Sequence, residues 1–154
     1  MVMPQKIIIV NQFDTEQACR VSGLTTTMLD YLVREGFVVP SASTKRGRGN
    51  RRLFSFGDVV TMKVIRQLLK SGIEIRRLSR GLRNFRKKFR DATASALPYR
   101  FLVTDGTDVF LEQAGAVESL TQGGQLSFFF LIDLSICASD ILTDSPAQQF
   151  KKKA

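Results

Sequence analysis

The stretch from Thr25 to Ser55 constrains this chain more than any other. Thr25 is placed to cap a helix that runs to about Glu35, with Leu24, Met28, Leu32 and Leu29 on an apolar stripe and Thr26, Thr27, Asp30, Tyr31 and Arg34 on or beside its polar face. Gly36 ends that helix and leads into Phe37-Val38-Val39-Pro40, an apolar strand. A loop follows, Lys45-Arg46-Gly47-Arg48-Gly49-Asn50-Arg51-Arg52, in which four arginines and one lysine are interleaved with glycines. So many cations in one short segment make a poor packed element but a good phosphate clamp. The chain returns through Leu53-Phe54, expected to pair with Val38-Val39 as a two-stranded wing. Upstream, Asp14 to Val21 reads as a short helix, with Gln17 in the capping-box place and Ser22-Gly23 ending it. Helix, tight turn, helix and wing is a shape suited to lying on duplex DNA.

Charge distribution points the same way. The formal net charge of +9 divides as −1 over residues 1–40, +14 over 41–100 and −4 over 101–154. Solubility needs only dispersed charge, so positive charge gathered in the middle third implies a polyanionic partner, with a merely solvated basic face as the alternative. There is no histidine, and the two cysteines, Cys19 and Cys137, stand alone in apolar patterns. Zinc-site spacings and histidine acid-base chemistry are therefore excluded, and both thiols read as small buried hydrophobes. The carboxylates Asp105, Asp108, Glu112 and Glu118 lack a paired base. No catalytic residue, cofactor or metal site is expected.

Beyond the wing, Ser55-Phe56-Gly57-Asp58 opens a helix to Lys70, buried along Val59, Met62, Ile65, Leu68 and Leu69. Gly72 breaks it. A second helix is expected over about Glu74 to Arg90, with Ile75, Leu78, Leu82, Phe85 and Phe89 on one side and a dense row of arginines and lysines on the other. That row either extends a phosphate contact or is simply solvated. Residues 91–98 read as a linker. Phe101-Leu102-Val103 and Val109-Phe110-Leu111 flank an Asp105-Gly106 turn, a strong hairpin signal. A short helix around Ala116 to Leu120, an apolar strand from Leu126 to Ile136 with Cys137 next to it, and a disordered tail complete the reading. The early run Ile7 to Val10 is either a short strand or an apolar arm.

This ordered set resembles the MerR family of bacterial transcription regulators from about Asp14 to Phe85. The likeness is carried by Ser22-Gly23-Leu24-Thr25, Leu29-Asp30-Tyr31, Arg34 through Ser41, Arg52 through Asp58, and Leu69 to Ile73. It is greatest to an actinobacterial-type group that includes a cell-division regulator, through the Leu-Asp-Tyr phrase, the Gly/Arg wing, Val103-Thr104-Asp105-Gly106 and Gly123-Gly124-Gln125. The resemblance implies a winged domain that dimerises on a palindromic promoter site. It places Tyr31 and Arg52 on the phosphate backbone and Thr26 and Thr27 at the base-facing start of the recognition helix. Leu29 stands where many members carry a DNA-contacting Arg, and Leu32 where the close group has an aromatic. Metal sensing is not implied.

The expected architecture is α+β: a winged helix-turn-helix domain over 1–90, a linker over 91–98, a small hairpin-containing dimerisation or effector module over 99–142, and a tail over 143–154. The expected DNA contacts are Thr25, Thr26, Thr27, Tyr31, Arg34, Lys45, Arg46, Arg48, Asn50, Arg51 and Arg52, with Phe128, Phe129 and Phe130 at a homodimer interface. Expected partners are double-stranded DNA, a second copy of the chain and, as a further candidate, RNA polymerase, in a cytoplasmic, nucleoid-associated setting. An effector for the C-terminal module is left open. Two other readings stand beside this one: an architectural, excisionase-like DNA binder, and an interaction module without specific DNA readout.

Overall fold

The computed structural model describes residues 12–43, 51–93, 95–113 and 130–144. Helix α1 (Thr15–Ser22) starts where its capping box predicts: the Gln17 amide donates to the Asp14 carboxylate at 2.8 Å and the Asp14 amide donates to the Gln17 side chain at 3.0 Å. Gly23, at φ +82°, closes α1 by donating to the Cys19 carbonyl. Helix α2 (Thr26–Arg34) follows after a short turn, and the Thr25 hydroxyl accepts from the Met28 amide at 3.1 Å.

The wing root differs from its sequence reading. Phe37 and Val38 form no strand; both amides donate back to the Leu32 carbonyl at the end of α2, and both side chains are buried. Pro40 then removes a further donor, so this segment has little left with which to build a ladder. Phe54 instead exchanges two 2.8 Å backbone hydrogen bonds with Phe13, tying the return of the wing to the entry of α1. Closure across the root comes later, where the Ala42 amide donates to the Leu53 carbonyl and the Leu53 amide to the Ser43 hydroxyl.

Helix α3 (Phe56–Lys70) is the spine of the molecule, with ten residues buried and neighbours on several sides in α1, α4 and the C-terminal helix. After Gly72 the chain does not enter one long helix as expected. Ile75–Leu78 form a 3-10 turn without a side-chain cap, and α4 spans Ser79–Phe89. The tighter turn lets Ile75 and Leu78, three residues apart, both reach the core. Leu82, Phe85 and Phe89 continue the buried stripe, and the two phenyl rings stack at 4.2 Å.

Strands β1 (Phe101–Thr104), β2 (Val109–Glu112) and β3 (Phe130–Asp133) form an antiparallel sheet in the order β2-β1-β3. The hairpin predicted from Asp105-Gly106 is present, with Gly106 at φ +96° and the Asp105 carboxylate accepting from the Thr107 and Asp108 amides. Those two donors hold the Asp105 carboxyl below the usual carboxylate range. The expected strand from Leu126 to Ile136 is a correction: only Phe130–Asp133 is strand among the described residues, and Leu134–Asp144 is a helix, α5. Asp133 turns the chain by accepting from the Ser135 amide and hydroxyl. Cys137 is accordingly helical. Leu102 and Ile132 from the sheet, and Leu134, Cys137, Ala138 and Ile141 from α5, share one continuous core with α1 through α4. The expected helix at Ala116 to Leu120 lies outside the described residues, as does the tail beyond Asp144.

Gly57 fixes how α3 meets α4. A Cβ at this position would lie 1.8 Å from the Phe89 carbonyl oxygen, so the first turn of α3 rests on the backbone at the end of α4. Replacing a helical glycine by alanine ordinarily stabilises by roughly 0.5–1 kcal/mol. Here the sign is expected to reverse, with Gly57→Ala lowering unfolding free energy by about 3 kcal/mol in urea titrations.

Candidate nucleic-acid interface

Helix α2 separates its residues cleanly. Leu29 and Leu32 are fully buried against the core, while Thr26, Thr27, Asp30 and Arg34 are exposed along the opposite ridge. Thr25 is exposed too, but its hydroxyl is occupied as the helix cap. The two departures noted in the sequence, Leu29 and Leu32, are therefore packing residues in this chain. Tyr31 is half-buried, the Arg34 guanidinium lies 5.7 Å from its ring centroid, and the proximity of Tyr31 raises the Arg76 pKa further.

The wing root brings Arg52 to this ridge and Arg51 to the start of α1. Arg51 pairs at 2.9 Å with Asp14, the cap of α1, and Arg52 pairs at 2.6 Å with Asp30 in the middle of α2. The sequence singled out both arginines but not the carboxylates that hold them, because these partners lie 37 and 22 residues away. Exposed ion pairs of this kind contribute about 0–1 kcal/mol, so each guanidinium is oriented yet readily surrendered to a phosphate. Lys45, Arg46, Arg48 and Asn50 lie outside the described residues.

A buried carboxylate sets the stem of the wing. Asp58 accepts from the Ser41 amide at 2.8 Å, the Ser41 hydroxyl at 2.6 Å and the Ser55 amide at 2.8 Å. Burial pushes its pKa up, and these donors pull against that shift. Its capping-box role at the start of α3 was legible in the sequence; the Ser41 contact, which anchors the far side of the wing, was not.

The basic row continues past α2. Arg83 on α4 donates to the Glu35 carbonyl at 2.8 Å and lies 5.0 Å from the Phe37 ring centroid, so it caps the negative end of α2. Arg80, Arg83, Asn84 and Lys87 line an open groove of about 700 Å³ against Thr107, Asp108 and Val109 of the hairpin. Cys137 is buried in the core and Cys19 is partly buried behind Thr26 of α2. Burial pushes Cys137 up to about 11 and also raises Cys19, so neither is a thiolate near neutral pH. Among the described residues no helix is long and apolar enough to cross a membrane.

This geometry coincides with a family match. A model of the MerR HTH family regulatory proteins matches residues 13–84, from Phe13 of the wing bridge into the middle of α4. Residues 13–84 thus form a MerR-type HTH domain. Similar curated relatives are HTH-type transcriptional regulators, described as uncharacterized, from Mycobacterium bovis and from two strains of Mycobacterium tuberculosis. Each is 35% identical over 109 residues, which cover 70% of this chain and 47% of the relative. The chain thus spans about half the length of the curated relatives it matches.

Within the MerR domain, the buried and exposed polar contacts differ in energetic weight. Asp58→Ala removes the acceptor of three donors at a buried site and is expected to cost about 2–3 kcal/mol of stability, whereas Arg51→Ala is expected to cost about 1 kcal/mol or less. Thermal unfolding of the two variants side by side checks the contrast.

Proposed function

We propose that this protein is a sequence-specific DNA-binding transcription regulator that acts as a homodimer on a palindromic promoter site. The observation that carries the reading is the exposed ridge of α2, with Thr26, Thr27 and Arg34 facing outward, Arg52 held beside it by Asp30 and Arg51 paired at the start of α1. A helix of this width enters the major groove, where hydroxyls near its N-terminus reach base edges and guanidiniums reach phosphates. Tyr31, Arg34, Arg51 and Arg52 take the backbone, joined by Lys45, Arg46, Arg48 and Asn50 of the wing. Thr26 and Thr27 take base edges. Arg76, Arg80, Arg83 and Lys87 extend the positive surface away from α2. The mycobacterial relatives, described as transcriptional regulators, support the same assignment. RNA polymerase is the further partner that action at a promoter implies.

Dimerisation is assigned to the C-terminal module through Phe128, Phe129 and Phe130. Phe130 begins β3, an edge strand of the sheet, and Phe110 and Leu131 nearby remain 38% and 39% exposed. Phe129→Asp is expected to give monomers in sedimentation; an intact dimer would move the interface elsewhere.

Binding to a random duplex library, followed by sequencing of the retained fraction, tests the function directly. A palindrome with half-sites about one helical turn or more apart is the expected product, and retention without an enriched motif would contradict sequence-specific readout. Arg52→Ala is expected to weaken binding to all sequences alike and to reduce the salt slope by about one phosphate contact. Thr27→Ala is expected to cost about 1 kcal/mol or less and to act unevenly across sequences.

A further inference from the structure

The DNA-facing ridge of α2 carries an acid that phosphate binding does not explain. Asp30 is exposed, lies one turn beyond Thr26 and Thr27 and one turn before Arg34, and so shares their ridge. A carboxylate facing a polyanion opposes association. Its ion pair with Arg52 does not account for it either, since both side chains are substantially exposed, at 50% for Asp30 and 39% for Arg52, where such pairs contribute little to folding.

The pair makes chemical sense if the carboxylate has a ligand of its own. Arg52 contacts Oδ1 at 2.6 Å, and among the described residues Asp30 has no other hydrogen-bond partner, so Oδ2 is open to accept. In the major groove guanine presents only acceptors, adenine an acceptor beside its amine, and thymine an acceptor and a methyl group. Cytosine alone presents an amine donor with no acceptor on the same base edge, and its N4 is the usual partner of an acidic side chain.

Resting on the DNA-binding reading above, we propose that Asp30 is a specificity-determining residue that accepts a hydrogen bond from cytosine N4, while Arg52 neutralises its charge and bridges to the phosphate backbone. The ion pair seen in the DNA-free protein then holds the acceptor in place before the duplex arrives. One cytosine per half-site is read in this way, and guanine, thymine and adenine are disfavoured there because their acceptors face a carboxylate.

Selection from a random duplex library, run in parallel on the wild-type chain, Asp30→Ala, Asp30→Asn and Arg52→Ala, tests this. Thermal unfolding of each variant serves as the folding control, and the exposure of both side chains predicts midpoints close to wild type. The wild type is expected to enrich cytosine at one position of each half-site by roughly five- to tenfold over the other bases. Asp30→Ala is expected to lose that preference while keeping the rest of the motif and binding unrelated duplexes more tightly. Asp30→Asn is expected to shift it toward adenine, whose donor and acceptor an amide matches. Arg52→Ala is expected to keep the cytosine while binding every sequence more weakly. An Asp30→Ala motif identical to wild type at every position, at whatever overall affinity, would reduce Asp30 to a support for Arg52 and overturn the assignment while leaving specific DNA binding intact. A wild-type chain that enriches no motif would overturn both.

Discussion

The close seat of α3 on the end of α4 is the contact on which the remaining architecture depends. Gly57 allows the first turn of α3 to touch the Phe89 carbonyl, and no side chain larger than hydrogen fits without parting the two helices. That seat sets the direction of α3, whose ten buried residues serve α1, α4 and α5 together. One turn into the same helix, Asp58 gathers Ser55 and Ser41. The helix spine, the end of α4 and the wing stem are thus registered against one another by contacts within four residues of sequence, Ser55 to Asp58.

Electrostatics divides into two regimes on this frame. The buried Asp58 carboxylate is partnered by Ser41 and Ser55, so removing either side leaves a desolvated group and a large penalty. The exposed contacts, Arg51 with Asp14 and Arg52 with Asp30, are close but weak. This division suits a surface that must keep its shape while exchanging ion partners. Arg83 belongs to both regimes, since it caps the end of α2 and also faces the open groove beside the hairpin. The positive charge concentrated in residues 41–100 therefore supports α2 structurally as well as surrounding it with positive potential.

What could be read from the sequence was local chemistry. The caps at Asp14, Thr25 and Ser55 act over three residues, and all three helix starts were legible. The Asp105-Gly106 turn was legible for the same reason, as was the family resemblance, which the match over residues 13–84 bears out. The features missed depend on distant partners. Phe54 pairs with Phe13 rather than with the segment before Pro40, and the need for glycine at 57 appears only once α4 is docked. Helix α5 was hidden by apolar residues that suit a strand equally well. Its one local signal was Asp133 followed two residues later by Ser135, the acceptor and donor that start the helix. For the interface, sequence pattern found the cations and the hydroxyls but passed over Asp30 as a binding residue, because its significance comes from Arg52, 22 residues away.

Amide hydrogen exchange with and without a selected duplex tests whether duplex DNA lies across the α2 ridge and the wing root. Slowed exchange is expected over residues 25–34 and 51–53, extending to 76–87 on the basic side of α4, with residues 101–113 and 130–144 unchanged by DNA at fixed protein concentration. Protection confined to the sheet and α5, with α2 exchanging as it does in the free protein, would contradict it.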